Sequence, residues 1–478
     1  PTPPVPRPLA PPTHPPQPRI RPGQLANGGC RTSLEVHRWS RARDDIFPDR
    51  PVVDHLADLA LWEAELATGP ADPLSMVSPL VARLARVPDP RRPCGRRHPL
   101  LVILVLTACA TLVAGNDSLT AIRQWAARTP QDVLRRLGAR RDPLTSRYLV
   151  PSERTFRRVL AAVDGDALDT ATCGYAADVV RGVAPAPQIP AGVDEPTERE
   201  QRRAATRAVT HPVPAGLLPA AAIDGKLLHG TRTATGQVFL VAAVTHDRTV
   251  ILGQRQVADK RGEATVTEDL LAPLDVAGML LTLDALHTNR KTARLITGTL
   301  NAHYMLILKG NQPLALRAAQ TLLSGTDTEF ADRTGVQADR GHGRTERRTI
   351  RVTACDDALF PGARQVFRLR RDTGGLDGVR TSKQIIHGIV SLDATQAGPQ
   401  HLNAYVRGHW SVETRLHWTR DVTFNEDDSQ LRTGAAPRNV AAMRNLALST
   451  FRLAGRANIA HARRDLHDRA DTFAVYDI

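Results

Sequence analysis

A chain of 478 residues is long enough for two or three domains, each with a core of its own. Its formal charge of +14 and pI near 10.4 favour a polyanionic partner over an acidic small molecule. Five cysteines without a CxxC pair or a partnering histidine spacing exclude a zinc framework or disulfide scaffold and fit a reducing cytoplasm.

Arginine outnumbers lysine 58 to 5 in a chain rich in Ala, Gly and Pro, as codon bias in a GC-rich genome produces. The position of the charge is therefore more informative than its amount. Residues 78–160 hold 16 arginines against 5 acidic residues, a net of +11, and a localised basic segment points to nucleic acid.

In chain order, residues 1–75 read as a Pro/Arg-rich, largely disordered extension. The chain opens on proline rather than methionine, as a fragment or mis-set start would, and no signal-peptide apolar core follows. Within the extension, residues 51–68 have helical spacing at Val53, Leu56, Leu59 and Leu61. Residues 76–183 read as an all-α accessory DNA-binding domain. Its longest apolar run, Leu100 to Ala114, is shorter than a membrane span and holds two Thr and a Cys, so it predicts a buried helix and no membrane partner. Asp117 or Ser118 caps the next helix, which carries Ile122 and Trp125. Ser152 caps another, with Phe156 and Leu160 inward and Arg154, Arg157 and Arg158 on the other side. Such short basic helices resemble a helix-turn-helix aimed at phosphates or base edges; a bundle with a solvated basic face is the alternative. Residues 184–218, proline-rich and then densely charged, read as a linker.

From residue 219 the period changes. Strands are expected at 219–224, 237–245, 249–257, 278–283 and 303–308, with helices at 265–274 and 290–299 between them. This order describes an α/β mixed sheet in which the first strand lies beside the fourth and runs parallel to it. A β-rich insertion is expected at about 310–398, then helices at 402–420 and 437–453, the latter opening on Pro437. These close a catalytic domain at 219–455, leaving 456–478 as a basic C-terminal tail.

Two apolar strands each stop at a carboxylate, Asp224 in AIDGK and Asp284 in LTLDAL. Two such ends side by side suit a hard divalent cation, although each Asp is also a common turn starter. A third carboxylate is sought in HWSVETRLHWTRDVTFNEDDSQLRTG, among Glu413, Asp421, Glu426, Asp427 and Asp428. Glu413 shares a helix face with Trp410 and His417 and can be aimed at the sheet; pairing to Arg407 or Arg420 at the surface is the alternative. The trio 426–428 reads as a solvated loop, and Trp410 and Trp418 as core anchors. Lys309, in KGNQ just beyond a strand, is expected to touch a phosphate; so are His342, Arg344, Arg347 and Arg348 in GHGRTERR, with solvated strand edges as the alternative. His409 and His417 are expected to pack near Glu413 rather than bind metal.

At this point a family resemblance becomes specific. DPRRPCGRRHPLLVIL, VPSERTFRRVLAAVD, AIDGK, LDALHTN, LILKGNQP, GHGRTERR and RGHWSVETRLHWTRDVTFNEDDSQLRTGAAPRNVAAMRNLAL occur in order across roughly residues 89–450. Together they resemble insertion-sequence transposases of the RNase H-like DDE type, of the branch that includes the H-repeat-associated transposases. The resemblance implies an RNase H-like mixed sheet with flanking helices and a β-rich insertion. It carries the acidic triad onto Asp224, Asp284 and Glu413. Two residues depart from the family's pattern, Thr414 for a common Asn and Asn289 for a common Gln, and neither removes a carboxylate. The resemblance further implies two Mg²⁺ (or Mn²⁺) ions, bridged by Asp224 with Asp284 and Glu413 holding one each, acting by in-line displacement on double-stranded DNA. Joining two element ends to a target needs at least a dimer, working in the cytoplasm on nucleoid DNA. Two alternatives remain open, a domesticated, non-catalytic DNA-binding protein and a nuclease of RNA–DNA hybrids.

Overall fold

The computed structural model describes residues 78–189, 202, 213–231, 236–257, 263–341, 343–377 and 379–478. The expectations for residues 1–75, for most of the linker and for His342 lie outside the described residues. Among those described, no helix is long and apolar enough to cross a membrane.

Six helices come first: α1 (Pro79–Leu84), α2 (Leu100–Leu112), α3 (Leu119–Ala126), α4 (Gln131–Arg136), α5 (Glu153–Ala162) and α6 (Gly165–Val180). Every residue of α2 except Leu101 is buried, which makes it the axis around which the others pack. Ser118 and Ser152 cap α3 and α5, each hydroxyl accepting from the amide three residues on, and thereby satisfy orphan donors of the first turn. On α5, Phe156, Val159 and Leu160 face inward while Arg154, Arg157 and Arg158 are exposed.

One nine-stranded sheet follows, ordered β3-β2-β1-β4-β5-β9-β8-β7-β6. Its first half is β1 (Ala220–Leu227), β2 (Phe239–Thr245), β3 (Ile251–Val257), β4 (Leu280–Leu283) and β5 (His303–Leu308). The β1–β2–β3 strands form an antiparallel meander, and β4 and β5 add in parallel beside β1. This is the RNase H-like order, with β1 central and next to β4. Helices α7 (Glu263–Leu271), α8 (Arg290–Arg294) and α9 (Pro313–Leu322) alternate with these strands.

The second half is an antiparallel meander: β6 (Thr334–Gly341), β7 (Arg344–Ala354), β8 (Gln365–Gly375) and β9 (Arg380–Val390). Only His387–Val390 of β9 pair with β5, so the far end of the meander runs past the carboxyl end of β5. The overhang is roughly 20 Å at strand rise.

Helix α10 (Pro399–Val412) crosses the sheet and continues as two π-helical stretches, Glu413–His417 and Thr419–Thr423. Then come α11 (Ala436–Leu453), α12 (Ile459–Asp465) and α13 (Arg469–Ala474). Residues 456–478 were expected to be a basic tail; instead α12 and α13 bury Ile459, Ala462, Phe473, Val475 and Tyr476 in the core of the N-terminal helices. The few apolar positions are spaced too irregularly to register as helices by periodicity, and the segment's four arginines are matched by four aspartates, so it is not basic either. That same core takes in most of α11 and, from the sheet, Ala222, Ala242, Val244 and Ile251, so the N-terminal helices are packed onto the sheet.

Candidate active site

The carboxyl edge of the parallel strands gathers the chain's acidic candidates. In the β1–β4 register Ile223 lies opposite Leu283, so Asp224 and Asp284 are the next residues on two neighbouring strands. Asp284 caps a short 3-10 turn, its Oδ1 accepting from the Leu286 amide at 2.9 Å. Asp224 Oδ1 accepts from the Gly225 amide at 2.9 Å. Burial raises the pKa of Asp224, the charges of His417 and His409 oppose that rise, and Asp284 adds to it.

Glu413 reaches this edge from the opposite direction. It opens the first π-helical stretch, where the Trp418 amide donates to the Glu413 carbonyl five residues back. Such one-turn widenings re-aim side chains within a helix and occur often at functional sites. The ligand atoms of Asp224, Glu413 and His417 all lie within 4.8 Å of one another. His417 Nδ1 donates to Glu413 Oε2 at 3.0 Å and stands 3.9 Å from Asp224 Oδ2. That hydrogen bond is the main reason the Glu413 pKa is lowered, with burial working against it. Asp284 is outside this 4.8 Å group, yet near enough for its charge to act on both Asp224 and His409.

Several contacts hold α10 at that distance from the sheet. The Thr282 hydroxyl on β4 bridges His246 Nε2 at 2.9 Å and His409 Nδ1 at 3.0 Å. Burial pushes the pKa of His246 down to about 3, and also lowers that of His409 against the pull of Asp224 and Asp284. The helix comes so close here that a Cβ on Gly408 would lie 2.1 Å from His246 Nδ1. Further along, Lys226, buried on β1 two residues after Asp224, donates to Asp421 Oδ2 at 2.7 Å and ties the strand to the second π-helical stretch. Asn311 and Gln312 of the KGNQ segment donate to the carbonyls of Ala285 and Thr288, bracing the turn that follows Asp284.

The remaining expectations divide. Glu426 was expected in a solvated loop; it is only 2% exposed, because Arg420 grips both its oxygens at 2.8 and 3.0 Å and Arg444 adds a third bond at 3.1 Å. Trp410 and Trp418 were expected as core anchors; they are 51% and 58% exposed, on the solvent side of the helix that carries Glu413. The alternative partners for Glu413 are engaged elsewhere, Arg407 with Asp339 at 2.9 Å and Arg420 with Glu426.

Of the residues expected to meet DNA, Arg154, Arg157, Arg158, Lys309, Arg344 and Arg347 are exposed. Arg157 shares its charge with Glu153 at 2.7 Å. Arg348 is different: its side chain is 13% exposed and locked to Glu346 at 2.5 Å, which also binds Arg371 at 2.7 Å. Strand alternation puts Arg344 on the face of the meander that packs against α10, and Arg347 on the opposite face. His417 was expected to pack near Glu413 rather than bind metal; it is buried there, and the structure adds its hydrogen bond to the Glu413 carboxylate.

As a donor set, the carboxylates of Asp224 and Glu413 with that of Asp284 adjoining suit a hard divalent cation such as Mg²⁺ or Mn²⁺, while the His417 imidazole serves Glu413 as a hydrogen-bond donor.

Comparison with known families agrees with this geometry. Residues 216–450 match the family described as "Transposase DDE domain", and residues 81–176 match "DDE_Tnp_1-associated". "Putative transposase YncI" of Escherichia coli O157:H7 is 28% identical over 48% of this chain and 61% of its own length. "H repeat-associated putative transposase YhhI" of E. coli K12 is 25% identical over 48% of this chain and 62% of its own length. The chain thus spans about six tenths of the length of these two relatives. An uncharacterized protein from the dhlA 3' region of Xanthobacter autotrophicus is 29% identical over 60% of this chain and 88% of its own. Among solved structures, a synaptic complex of piggyBac transposase with hairpin DNA aligns over 84% of this chain and 78% of its own, with a TM-score of 0.38 and 11% identity.

Proposed function

Since the chain belongs to the DDE transposase family, we propose that it cuts phosphodiesters at the ends of an insertion sequence and joins the freed ends to target DNA. The observation that carries this reading is the approach of Glu413, on α10, to within 4.8 Å of Asp224, on β1, at the strand end beside Asp284. Asp224, Asp284 and Glu413 are the catalytic residues and the metal ligands. These three carboxylates would hold two divalent cations, Mg²⁺ or Mn²⁺, which would supply charge neutralisation at the scissile phosphate and activation of the attacking water or 3′-hydroxyl.

The chain's own side chains do the rest. His417 fixes the Glu413 carboxylate by donating to Oε2, so the carboxylate is oriented before substrate arrives. The Thr282 bridge and Gly408 keep α10 seated, and Lys226 with Asp421 keeps the π-helical stretch next to β1. Exposed Arg154, Arg157 and Arg158 on α5, Lys309 after β5, and Arg344 and Arg347 on the overhanging meander contact the phosphates of double-stranded DNA. Arg348 serves the meander's internal ion pair instead. The joining step brings two ends together, so the working unit is at least a dimer.

The test is cleavage of duplex carrying the DNA that flanks the reading frame, with Mg²⁺ or Mn²⁺ added. Nicking at defined ends is expected, and Asp224→Asn, Asp284→Asn and Glu413→Gln should each abolish it while DNA binding persists. Unimpaired nicking by Asp224→Asn would overturn the assignment. A wild-type protein that binds these ends and never cuts them would identify a non-catalytic DNA-binding derivative.

A further inference from the structure

The loop between α4 and α5 has no part in the site described above, yet it is built with unusual care around one exposed side chain. Residues 140–149 fold back on themselves: the Leu149 amide donates to the Arg140 carbonyl, the Asp142 amide to the Arg147 carbonyl, and Arg141 bridges to Tyr148. Asp142 braces the turn from inside, its Oδ1 accepting from the Leu144 amide at 3.2 Å and its Oδ2 from the Thr145 hydroxyl at 2.6 Å. Ser146 closes the turn at a φ of +56°, and Pro143 fixes its own φ. Gln131 of α4 anchors the loop's base by exchanging two hydrogen bonds with the Tyr148 backbone, at 2.7 and 3.2 Å. At the tip of this braced turn stands Leu144, 93% exposed.

A single exposed leucine calls for no explanation on its own. Its surroundings do. Arg141 and Arg147 flank the tip and Arg140 stands at the hairpin's base; all three are exposed, and none is in an ion pair among the described residues. The loop before α2 brings more positive charge to the base of this hairpin. His98 is held below its ordinary pKa by burial and then by Arg140, Arg91 and Arg97, so guanidiniums from both loops crowd one spot. Arg91 is spoken for, bound by both oxygens of Asp89 at 2.8 and 2.7 Å, whereas Arg97 is exposed and has no ion pair among the described residues. A rigid apolar tip rimmed by unpaired arginines matches the chemistry of DNA deformation: phosphates are held on both sides while an apolar side chain enters a base step. A protein partner is the poorer match, because like-charged arginines at a core contact would be desolvated without a partner.

We propose that Leu144 is a wedge that inserts between stacked base pairs of bound duplex, with Arg97, Arg140, Arg141 and Arg147 clamping the flanking phosphates. The wedge bends DNA within the N-terminal helical domain, apart from the carboxylate edge where strands are cut. Pyrimidine–purine steps, the easiest to unstack, are its preferred positions. This inference rests on the reading of the chain as a DNA-binding transposase.

The experiment uses the full chain, without divalent metal, and a duplex of about 40 base pairs with a central TA step. The duplex carries 2-aminopurine at that step and a donor–acceptor pair at its ends. Wild type should raise both the 2-aminopurine fluorescence and the end-to-end energy transfer. Leu144→Ser, which leaves the fold's melting temperature unchanged, should lose both signals with roughly a tenfold loss of affinity at most. Arg140→Gln and Arg147→Gln should each reduce the slope of log affinity against log salt by about 1. Equal fluorescence and energy transfer in Leu144→Ser and wild type would overturn the wedge while leaving DNA binding intact. Leu144→Ser binding as wild type does but changing the oligomeric state would overturn it in favour of a protein contact. A wild-type chain with no affinity for any duplex would remove the DNA reading itself, and this inference with it.

Discussion

At the carboxyl edge of the sheet, Asp224, Asp284 and Glu413 share the histidines His417 and His409, and Glu413 keeps 69% of its side chain in solvent. In the loop just past the end of the helical run that carries Glu413, Glu426 is 2% exposed and bound by two arginines, while Arg463 reaches Asp117 at 2.7 Å and the carbonyls of Val113 and Thr423. Both regions are ionic, but their accounts differ. Behind the edge, Glu426, Arg420, Arg444, Arg463 and Asp117 each have a bonded partner of opposite sign, and these groups hold α10, α11, α12 and the N-terminal helices in one position. At the edge, carboxylates outnumber the groups that answer them, which is unfavourable for the folded chain alone and favourable once a cation and a phosphate arrive. The difference separates residues kept for chemistry from residues kept for position.

Substitutions should sort the two regions by what fails. Asp224→Asn ought to cost on the order of 10³-fold or more in cleavage. Its melting temperature should stay at or slightly above that of wild type, because the change removes carboxylate repulsion at a site where burial already disfavours the charge. Arg444→Ala should do the reverse. It leaves Glu426 with Arg420 alone in a buried place, at a cost of about 3–5 kcal/mol, with activity lost only as the folded fraction falls. Thermal melts and single-turnover cleavage measured on the same samples distinguish these outcomes, and a stable, inactive Arg444→Ala would dissolve the distinction.

Acid should attack the buried lattice in a defined window. Burial works against ionisation of Glu426, but the Arg420 and Arg444 guanidiniums more than offset it and hold its pKa at about 2. A depressed folded-state pKa means the unfolded chain takes up the proton first. The stabilisation is therefore complete above the ordinary glutamate pKa of about 4.3 and is lost as pH falls from there towards 2, on the order of 3 kcal/mol in all. Urea midpoints measured between pH 7 and 3 should fall below pH 5, and less steeply in Glu426→Gln, which starts lower. Equal slopes in the two proteins would show that Glu426 is not the group concerned.

A smaller effect joins the regions. Gly408→Ala would drive a methyl into His246, and overpacking of this kind costs about 1–3 kcal/mol. Because α10 would be pushed from the sheet five residues before Glu413, cleavage should fall more than stability alone explains. His246→Ala in the same chain should restore part of both. If the double variant is no better than Gly408→Ala, the close approach is not what seats the helix.

How much of this was readable beforehand follows from which residues report on themselves. Strand-terminal Asp224 and Asp284 were legible because an apolar run that stops at a carboxylate is a local pattern, and the β1–β4 neighbourhood followed from the order of the elements. Glu413 was legible as one of five acidic residues and was singled out by its helical face and by the family motif. The burial of Glu426 was not legible: its partners Arg420 and Arg444 lie on different elements, and only tertiary packing makes NEDDSQ anything other than a polar loop. The exposure of Trp410 and Trp418 was hidden for the opposite reason. Aromatic residues at helical spacing ordinarily mark a core face; the π-helical stretch beginning at Glu413 shifts that count for Trp418, whereas Trp410 precedes it and simply lies on the solvent side of the regular helix. Residues 456–478 were misread because the arginines were weighed without the four aspartates that offset them, and the few apolar positions that anchor the segment are scattered.

The finest test of the comparison concerns a half-buried pair on the helix that leads to Glu413. Arg407 on α10 binds Asp339 on β6 at 2.9 Å, each side chain about a quarter exposed. Had Glu413 been a surface carboxylate answered by Arg407, freeing that arginine would draw Glu413 away from Asp224. With His417 as the partner of Glu413, the Arg407–Asp339 pair only pins the meander to α10. Asp339→Asn should then lower stability by about 0.2–1 kcal/mol, less so at high salt, and leave single-turnover cleavage within twofold of wild type. His417→Ala should show the opposite profile: the melt falls because a buried ring is lost, but cleavage falls by more than the loss of folded protein explains, since Glu413 loses the hydrogen bond that orients it. A large cleavage defect in Asp339→Asn with His417→Ala left fully active would mean that Glu413 is held in place from the meander side, and the open edge would then depend on the very ion pairs from which it has been distinguished.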